Sequence, residues 1–335
     1  MSVYVPLDVH SEYSLRDSII RLDRLVEAAL ACGIPAVGLA DDGNMFAAVK
    51  FVRAAEARGL KPLLGVDLAL VEGTDGRRDE TADLPRVLLY VQDLEGYRRL
   101  CALLSRRYAL GPSTAGVPVA WLEESAEGLI AVLGRGSDVG HDLAHAREKE
   151  AEERLERWLR WFPDRLYLGV TRLPRPLESV HLQAAVDLAA RRGLPLVALN
   201  EVRFLHADDY EAHEARVSIQ EGRTLDDPRR RRRFVEQQYL RRPEEMAALF
   251  HDLPEALENT VELARRINFA PALGGIHLPS YPLTEGEDAE TALRRRAREG
   301  LARRLASTRP SGDVRRYEER LDEDLGVIAQ MAFSG

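Results

Sequence analysis

The chain has 335 residues, of which 45% are hydrophobic and 30% charged, and its formal net charge is −8. This length exceeds what one hydrophobic core usually supports, so we expect one large domain plus part of another. The charge excludes a chain that clamps nucleic acid along its whole length, because such binding needs clustered Lys and Arg. No apolar run reaches the roughly 18 residues of a membrane span, and the first residues lack a signal peptide's pattern.

The first stretch, Tyr4 to Asp67, predicts the order strand, helix, strand, helix, strand. Polar residues stand where each predicted strand gives way to a loop. If these strands are parallel, their carboxyl ends meet at one edge of a sheet, where α/β folds build their sites. The pattern therefore predicts a metal pocket formed by five residues: Asp8, His10, Asp41, Asp42 and Asp67.

The middle of the chain continues to alternate. Short apolar runs predict strands at 86–92, 128–134, 165–170 and 194–202, and helical patterns occupy 94–107 and 148–161. Strands separated by helices favour parallel pairing with right-handed crossovers. Composition alone leaves both a closed barrel and a wound sheet open.

The last third is helical. Helices are predicted at 206–218, 243–250 and 254–267, and a connection rich in Pro and Gly follows from 268 to 286. Two amphipathic helices come after it, the second at 314–331. The predicted domain boundary lies in this connection.

Three motifs in the first stretch carry a family resemblance: LDVHSEYSL, LADDGNMFAAVKF and KPLLGVD. Together with segments up to Arg266, they resemble the polymerase-and-histidinol-phosphatase (PHP) domain at the N-terminus of bacterial replicative DNA polymerase III alpha subunits. The resemblance implies a distorted, TIM-like (β/α)7 barrel over residues 1–270. It also implies that residues 271–335 begin a polymerase palm and stop before its catalytic aspartates, which use Mg²⁺.

The metal-ligand pattern of active PHP domains is broken in this chain. Asp8 replaces a His, Asp42 replaces the His of an Asp-His pair, and Asp67 replaces a Glu. Arg86 and Arg203 replace two further His ligands, Gly169 replaces a Glu, and Glu201 replaces an Asp. The remnant ligand positions are Asp8, His10, Asp41, Asp42, Asp67 and Glu201.

Arg86 and Arg203 cannot bind a metal, because a guanidinium is always protonated and has no lone pair to offer. We therefore expect no metal centre, although a single divalent ion at His10, Asp41 and Asp42 stays open. The hypothesis is that the two arginines act as fixed counter-charges, which turns a former catalytic centre into a network of salt bridges.

Three functions follow from the resemblance and its departures. The first is a catalytically inactive module of a DNA-directed DNA polymerase, which braces the polymerase, docks the proofreading exonuclease (epsilon) subunit and reaches other holoenzyme subunits through the full-length chain. The second is an active metal-dependent phosphoesterase or 3′–5′ exonuclease. The third is a stand-alone interaction domain. DNA would be contacted mainly through regions outside this sequence.

Other residues receive simpler interpretations. Cys32 and Cys101 form no spacing motif and fit buried hydrophobic positions in a protein of the reducing cytoplasm. Seven histidines are expected at surface or capping positions: His141, His145, His181, His206, His213, His251 and His277. Five consecutive arginines, Arg229, Arg230, Arg231, Arg232 and Arg233, fit either a solvated loop or a contact with the nucleic-acid backbone.

Overall fold

The computed structural model describes residues 4–73, 84–111, 115–275, 281–308 and 313–335. The chain divides into two compact units, Met1–Pro271 and Ala272–Gly335. The prediction for His277 falls outside the described residues. In the described part of the chain, no helix has the length and apolar character needed to cross a membrane.

The first unit is built on one mixed sheet. Its strand order is β1-β2-β3-β5-β6-β7, and β4 pairs with β2 off this path. The strands are β1 (Ala36–Asp42), β2 (Lys61–Val71), β3 (Arg86–Val91), β4 (Val117–Pro118), β5 (Leu129–Leu133), β6 (Leu166–Val170) and β7 (Leu196–Ala198). The predicted strands from Ala36 onward are thus present, but β2 continues past Asp67 and β7 is shorter than expected.

The expectation of parallel pairing is wrong for β3, which runs antiparallel to both β2 and β5. A parallel partner needs a crossover connection, usually a helix, and the sequence shows no helical pattern between Asp67 and Arg86. The reversal determines where Arg86 lies. As the first residue of β3 it pairs with Ala69 of β2, next to Asp67 and near the carboxyl end of that strand.

The predicted first strand is not a regular strand. Only Val9 forms bridges, one to Leu39 in β1 and one to Val202 beyond β7. The His10 N–H also donates to Val202 O at 3.0 Å, and Val202 N–H donates to Asp8 O at 2.7 Å. This segment therefore links the two ends of a curled sheet, which confirms the distorted TIM-like barrel class.

Helices cover the outside of the sheet. They are α1 (Leu22–Ala31), α2 (Ala48–Glu56), α3 (Leu94–Ala109), α4 (Trp121–Ser125), α5 (Asp138–Ala144), α6 (Glu148–Trp161), α7 (Glu178–Arg192), α8 (Tyr210–Glu221), α9 (Pro243–Leu249) and α10 (Pro254–Arg266). The predicted apolar stripe of α6 is buried at Leu155 and Trp158. Such stripes hold each helix against the sheet, because their burial removes apolar surface from water.

Alternation along the strands separates two cores. In β1, Val37 and Leu39 pack in the outer core with the helices, whereas Ala36 and Ala40 belong to the inner core. Tyr90 fills the inner side, and at Gly65 an added Cβ would lie 2.7 Å from its ring. The inner faces of the strands therefore carry apolar side chains. The open end of the curled sheet, where β1 ends at Asp42, is called the mouth of the barrel below.

The second unit contains α11 (Ala289–Ser307) and α12 (Arg315–Gln330). Ala292 and Leu325 are its buried hydrophobic side chains among the described residues. Arg298 Nη2 donates to Asp322 Oδ1 at 2.9 Å and links the two helices. The assignment of this unit to the start of a palm stays a prediction.

Candidate functional site: a salt-bridge network at the barrel mouth

Asp42 and Asp67 are register partners on the parallel strands β1 and β2. Two carboxylates this close repel each other unless a cation separates them. Arg86 provides that cation. Its Nη2 donates to Asp42 Oδ1 at 2.5 Å and its Nε to Asp67 Oδ2 at 2.8 Å, and Nη2 also reaches Asp67 O at 3.1 Å. Although burial acts to raise it, Arg86 holds the pKa of Asp67 below its usual range.

The second arginine of the mouth is almost completely buried. The Arg203 side chain is 7% exposed, and its Nη1 donates to Asp8 Oδ1 at 2.9 Å. Its Nε lies 3.5 Å from Asp17 Oδ2 and has no hydrogen-bond partner. Burial raises the pKa of the Asp8 carboxyl, and the Arg203 charge opposes this. The pair therefore needs both members, because either one alone would be a buried charge without its hydrogen-bonded partner.

His10 occupies the centre of the mouth, with a side chain that is 0% exposed. Its Nδ1 bonds Asp17 Oδ1 at 2.9 Å, and its Nε2 lies 3.4 Å from Asp67 Oδ2 and 3.7 Å from Asp8 Oδ1. Burial and Arg203 act to lower the pKa of His10, but the carboxylates of Asp17 and Asp67 raise it to about 10. His10 is therefore an imidazolium at neutral pH and adds a positive charge to the network.

Asp17 was missed by the sequence analysis, yet it contacts both His10 and Arg203. Burial raises the pKa of a carboxyl, but the charges of His10 and Arg203 hold that of Asp17 below its ordinary range. Asp17 lies in a loop, outside any strand or helix. Strand periodicity therefore could not indicate which way it points.

Asp41 does not face the mouth, contrary to its prediction as a remnant ligand beside Asp42. It lies on the outer face of β1 with Val37 and Leu39, because side chains alternate along a strand. Its Oδ1 accepts from Ser11 N at 2.6 Å and from Ser14 Oγ at 2.7 Å, and Ser11 Oγ donates to its Oδ2 at 2.8 Å. Asp41 thus fixes the 3-10 turn Glu12–Ser14 that follows His10.

Glu201 pairs with an arginine that the sequence analysis did not identify. Arg175 Nη1 donates to Glu201 Oε2 and Arg175 Nη2 to Glu201 Oε1, both at 2.7 Å. Gln238 Nε2 also donates to Oε2 at 3.2 Å. Although burial opposes it, Arg175 lowers the pKa of Glu201. The Glu201 side chain is thereby directed to Arg175. Arg203 lowers the pKa of Glu201 only through its more distant charge.

Comparison with known proteins shows the family to which this chain is related. Residues 6–172 match the PHP domain. The chain is 43% identical over 341 residues to the DNA polymerase III subunit alpha of Pseudomonas aeruginosa, and 42% identical over 340 residues to that of Escherichia coli strain K12. Each alignment covers 99% of this chain.

The chain belongs to the PHP family. Its relatives identify it with the PHP domains carried by DNA polymerase III alpha subunits, which confirms the resemblance in the sequence. The chain spans 29% of the length of these two relatives. Among solved structures, an amidohydrolase from Chromobacterium violaceum aligns over 64% of this chain and 97% of its own, with 14% identity and a TM-score of 0.42.

The residues at this PHP mouth do not fit a cluster of divalent cations. A metal needs available carboxylate oxygens, but Asp8 and Asp67 accept from the guanidinium groups of Arg203 and Arg86. At about 4 Å and an effective dielectric near 20, a dication and one guanidinium would repel by about 8 kcal/mol. Within the described ranges, no group of three or more His, Cys, Asp or Glu is arranged to hold a metal.

The other histidines take no part in this network except through one backbone contact. His141, His145, His206 and His251 are exposed, as predicted. Two are buried instead, and for these the surface prediction is wrong. His213 packs between Phe204 and Phe234 and contacts Asp17 O through Nε2 at 2.9 Å. Burial and the nearby Arg135 charge lower the pKa of His181 to about 4.

Proposed function

We propose that this chain is the PHP module of a replicative DNA polymerase, and that its former metal pocket serves structure rather than hydrolysis. One observation carries the proposal: Arg86 and Arg203 donate into Asp42, Asp67 and Asp8. These contacts use the carboxylate oxygens that cations would need. Relatives over 99% of the chain bear the name DNA polymerase III subunit alpha, which supports the replication context.

The remaining roles belong to the full-length protein. We propose that it is a DNA-directed DNA polymerase of the cytoplasm, in which residues 271–335 lead into a palm that binds Mg²⁺ and adds nucleotides. We further propose that the PHP module docks the proofreading exonuclease subunit. The network supports such a role, because a mouth locked by ion pairs gives a partner a surface of fixed shape.

One observation favours the alternative of a metal-dependent phosphoesterase or 3′–5′ exonuclease. His10 Nε2 is buried without a hydrogen-bond partner, and Asp17 holds Nδ1 as carboxylates do behind metal-bound histidines. The two arginines of the mouth argue against it, because Arg86 and Arg203 donate to the carboxylates that a cation beside His10 would need.

Two measurements on protein purified without chelator test the proposal. The first is elemental analysis, and the second is an assay for hydrolysis of bis-p-nitrophenyl phosphate and of 3′-labelled DNA. We expect no stoichiometric Zn, Mn or Fe and no hydrolysis. The matched variant is His10→Gln, which removes the only nitrogen ligand of the mouth in the described chain. One metal per chain, with hydrolysis that disappears in His10→Gln, would establish the alternative.

A further inference from the structure

The five arginines of the predicted basic run lie in a loop, residues 222–233, that we call the arginine loop. It follows α8, and its backbone is attached to that helix by Arg230. The Arg230 side chain is 3% exposed and forms an ion pair with Glu214, whose side chain is 6% exposed. Arg230 Nη1 also donates to Leu225 O at 3.3 Å. Arg230 therefore acts as an anchor inside the protein.

Arg229 is exposed but already paired. Its Nε donates to Asp227 Oδ1 at 3.1 Å and its Nη2 to Asp227 Oδ2 at 3.0 Å. The same carboxylate accepts from Arg229 N at 2.9 Å and lies 3.7 Å from Arg223. The charge of Arg229 is thus largely neutralised within the loop. Arg233 also has an interaction of its own.

Arg231 and Arg232 differ from their neighbours. Both are exposed, and neither donates a hydrogen bond or forms an ion pair with any other described residue. The loop thus holds two adjacent guanidinium groups toward solvent, on a backbone fixed by the buried pair of Arg230 and Glu214.

We propose that Arg231 and Arg232 contact the phosphate backbone of the DNA on which the full-length polymerase acts. This inference rests on the proposed function. Phosphate suits the site because guanidinium groups bind it with two parallel hydrogen bonds. A protein partner suits it less well, because the run from Arg229 to Arg233 offers no apolar side chain for the core of an interface.

The expected contact is independent of base sequence. Phosphate contacts position a protein on a duplex without reading it, and each one releases counterions. Binding that involves Arg231 and Arg232 therefore weakens with salt, and its loss affects all duplex sequences alike.

The test uses the full-length polymerase and a fluorescent primer–template duplex, with the Kd measured over a range of salt concentrations. For Arg231→Ala/Arg232→Ala we expect weaker binding at low salt and a log–log salt slope reduced by about two. The matched control is Arg24→Ala/Arg191→Ala. It removes two positive charges that lie outside the arginine loop and are already paired, with Glu27 and Glu152, and should keep the slope.

Three results would overturn the inference: equal slopes for the two double variants, a loss that depends on duplex sequence, or a loss of exonuclease-subunit binding with an unchanged DNA slope. Primer extension by the same preparations distinguishes a failure of this inference from a failure of the proposed polymerase function. If wild type extends primers while the slopes are equal, the inference alone fails. If wild type extends no primer, the polymerase assignment fails.

Discussion

Arg175 and Glu201 form a two-point ion pair, with both of their nitrogen–oxygen distances at 2.7 Å. Glu201 has a φ of 48°, in the left-handed region that side chains other than glycine seldom adopt. The pair and the backbone strain occur at the same residue. The ion pair with Arg175 is thus part of what holds Glu201 in an unfavourable backbone conformation.

Replacing Arg175 with lysine should destabilise the domain although the charge is kept. An ammonium group cannot reproduce the two parallel hydrogen bonds, so we expect the free energy of unfolding to fall by about 1–3 kcal/mol. Urea unfolding followed by circular dichroism measures this change. Arg191→Lys, at an exposed pair with Glu152, is the control and should change little. Equal effects of the two substitutions would refute a special role for the two-point ion pair between Arg175 and Glu201.

Removing the charge of Arg203 should lower the free energy of unfolding more than Arg175→Lys does. In Arg203→Met the Asp8 carboxylate stays buried without its partner, and we expect a loss of about 3–5 kcal/mol in unfolding free energy. Thermal and urea unfolding in metal-free buffer give the value. Adding Asp8→Asn should recover part of the loss, because the uncompensated charge is then gone. A single variant as stable as wild type would show that the pair does not support the fold.

The raised pKa of His10 predicts a pH dependence of stability. Because the pKa rises from 6.5 to about 10 on folding, this stabilisation is complete below pH 6.5 and disappears as pH approaches 10. The unfolding free energy should therefore decline across this window. In His10→Gln the decline should be smaller, since Gln does not titrate. Urea unfolding of both proteins at several pH values tests this, and parallel curves would contradict it.

Much of the fold could be predicted from the sequence, because apolar runs and amphipathic stripes are local signals. The reversed direction of β3 was missed, since strand direction depends on the connection rather than on the strand itself. The outward direction of Asp41 was also missed. Strand alternation could have separated it from Asp42, because adjacent residues of a strand point to opposite faces.

The partners within the site could be predicted only in part. Arg86 and Arg203 were recognised because they stand at positions where the family has metal ligands. Asp17 and Arg175 carry no such mark, and both lie outside strands and helices. Arg175 meets Glu201 only through the packing of the loops after β6 and β7. Neither periodicity nor motif spacing encodes a contact of that kind.

The bridges of Val9 have a consequence for how the protein folds as it is made. Val9 pairs with both Leu39 and Val202. The second contact joins positions roughly 190 residues apart, and contacts so distant in sequence form slowly. During translation the N-terminal segment leaves the ribosome long before Val202 exists. The growing sheet therefore keeps an open strand edge until Val202 has been made, and this is the period in which molecular chaperones have the most reason to bind it.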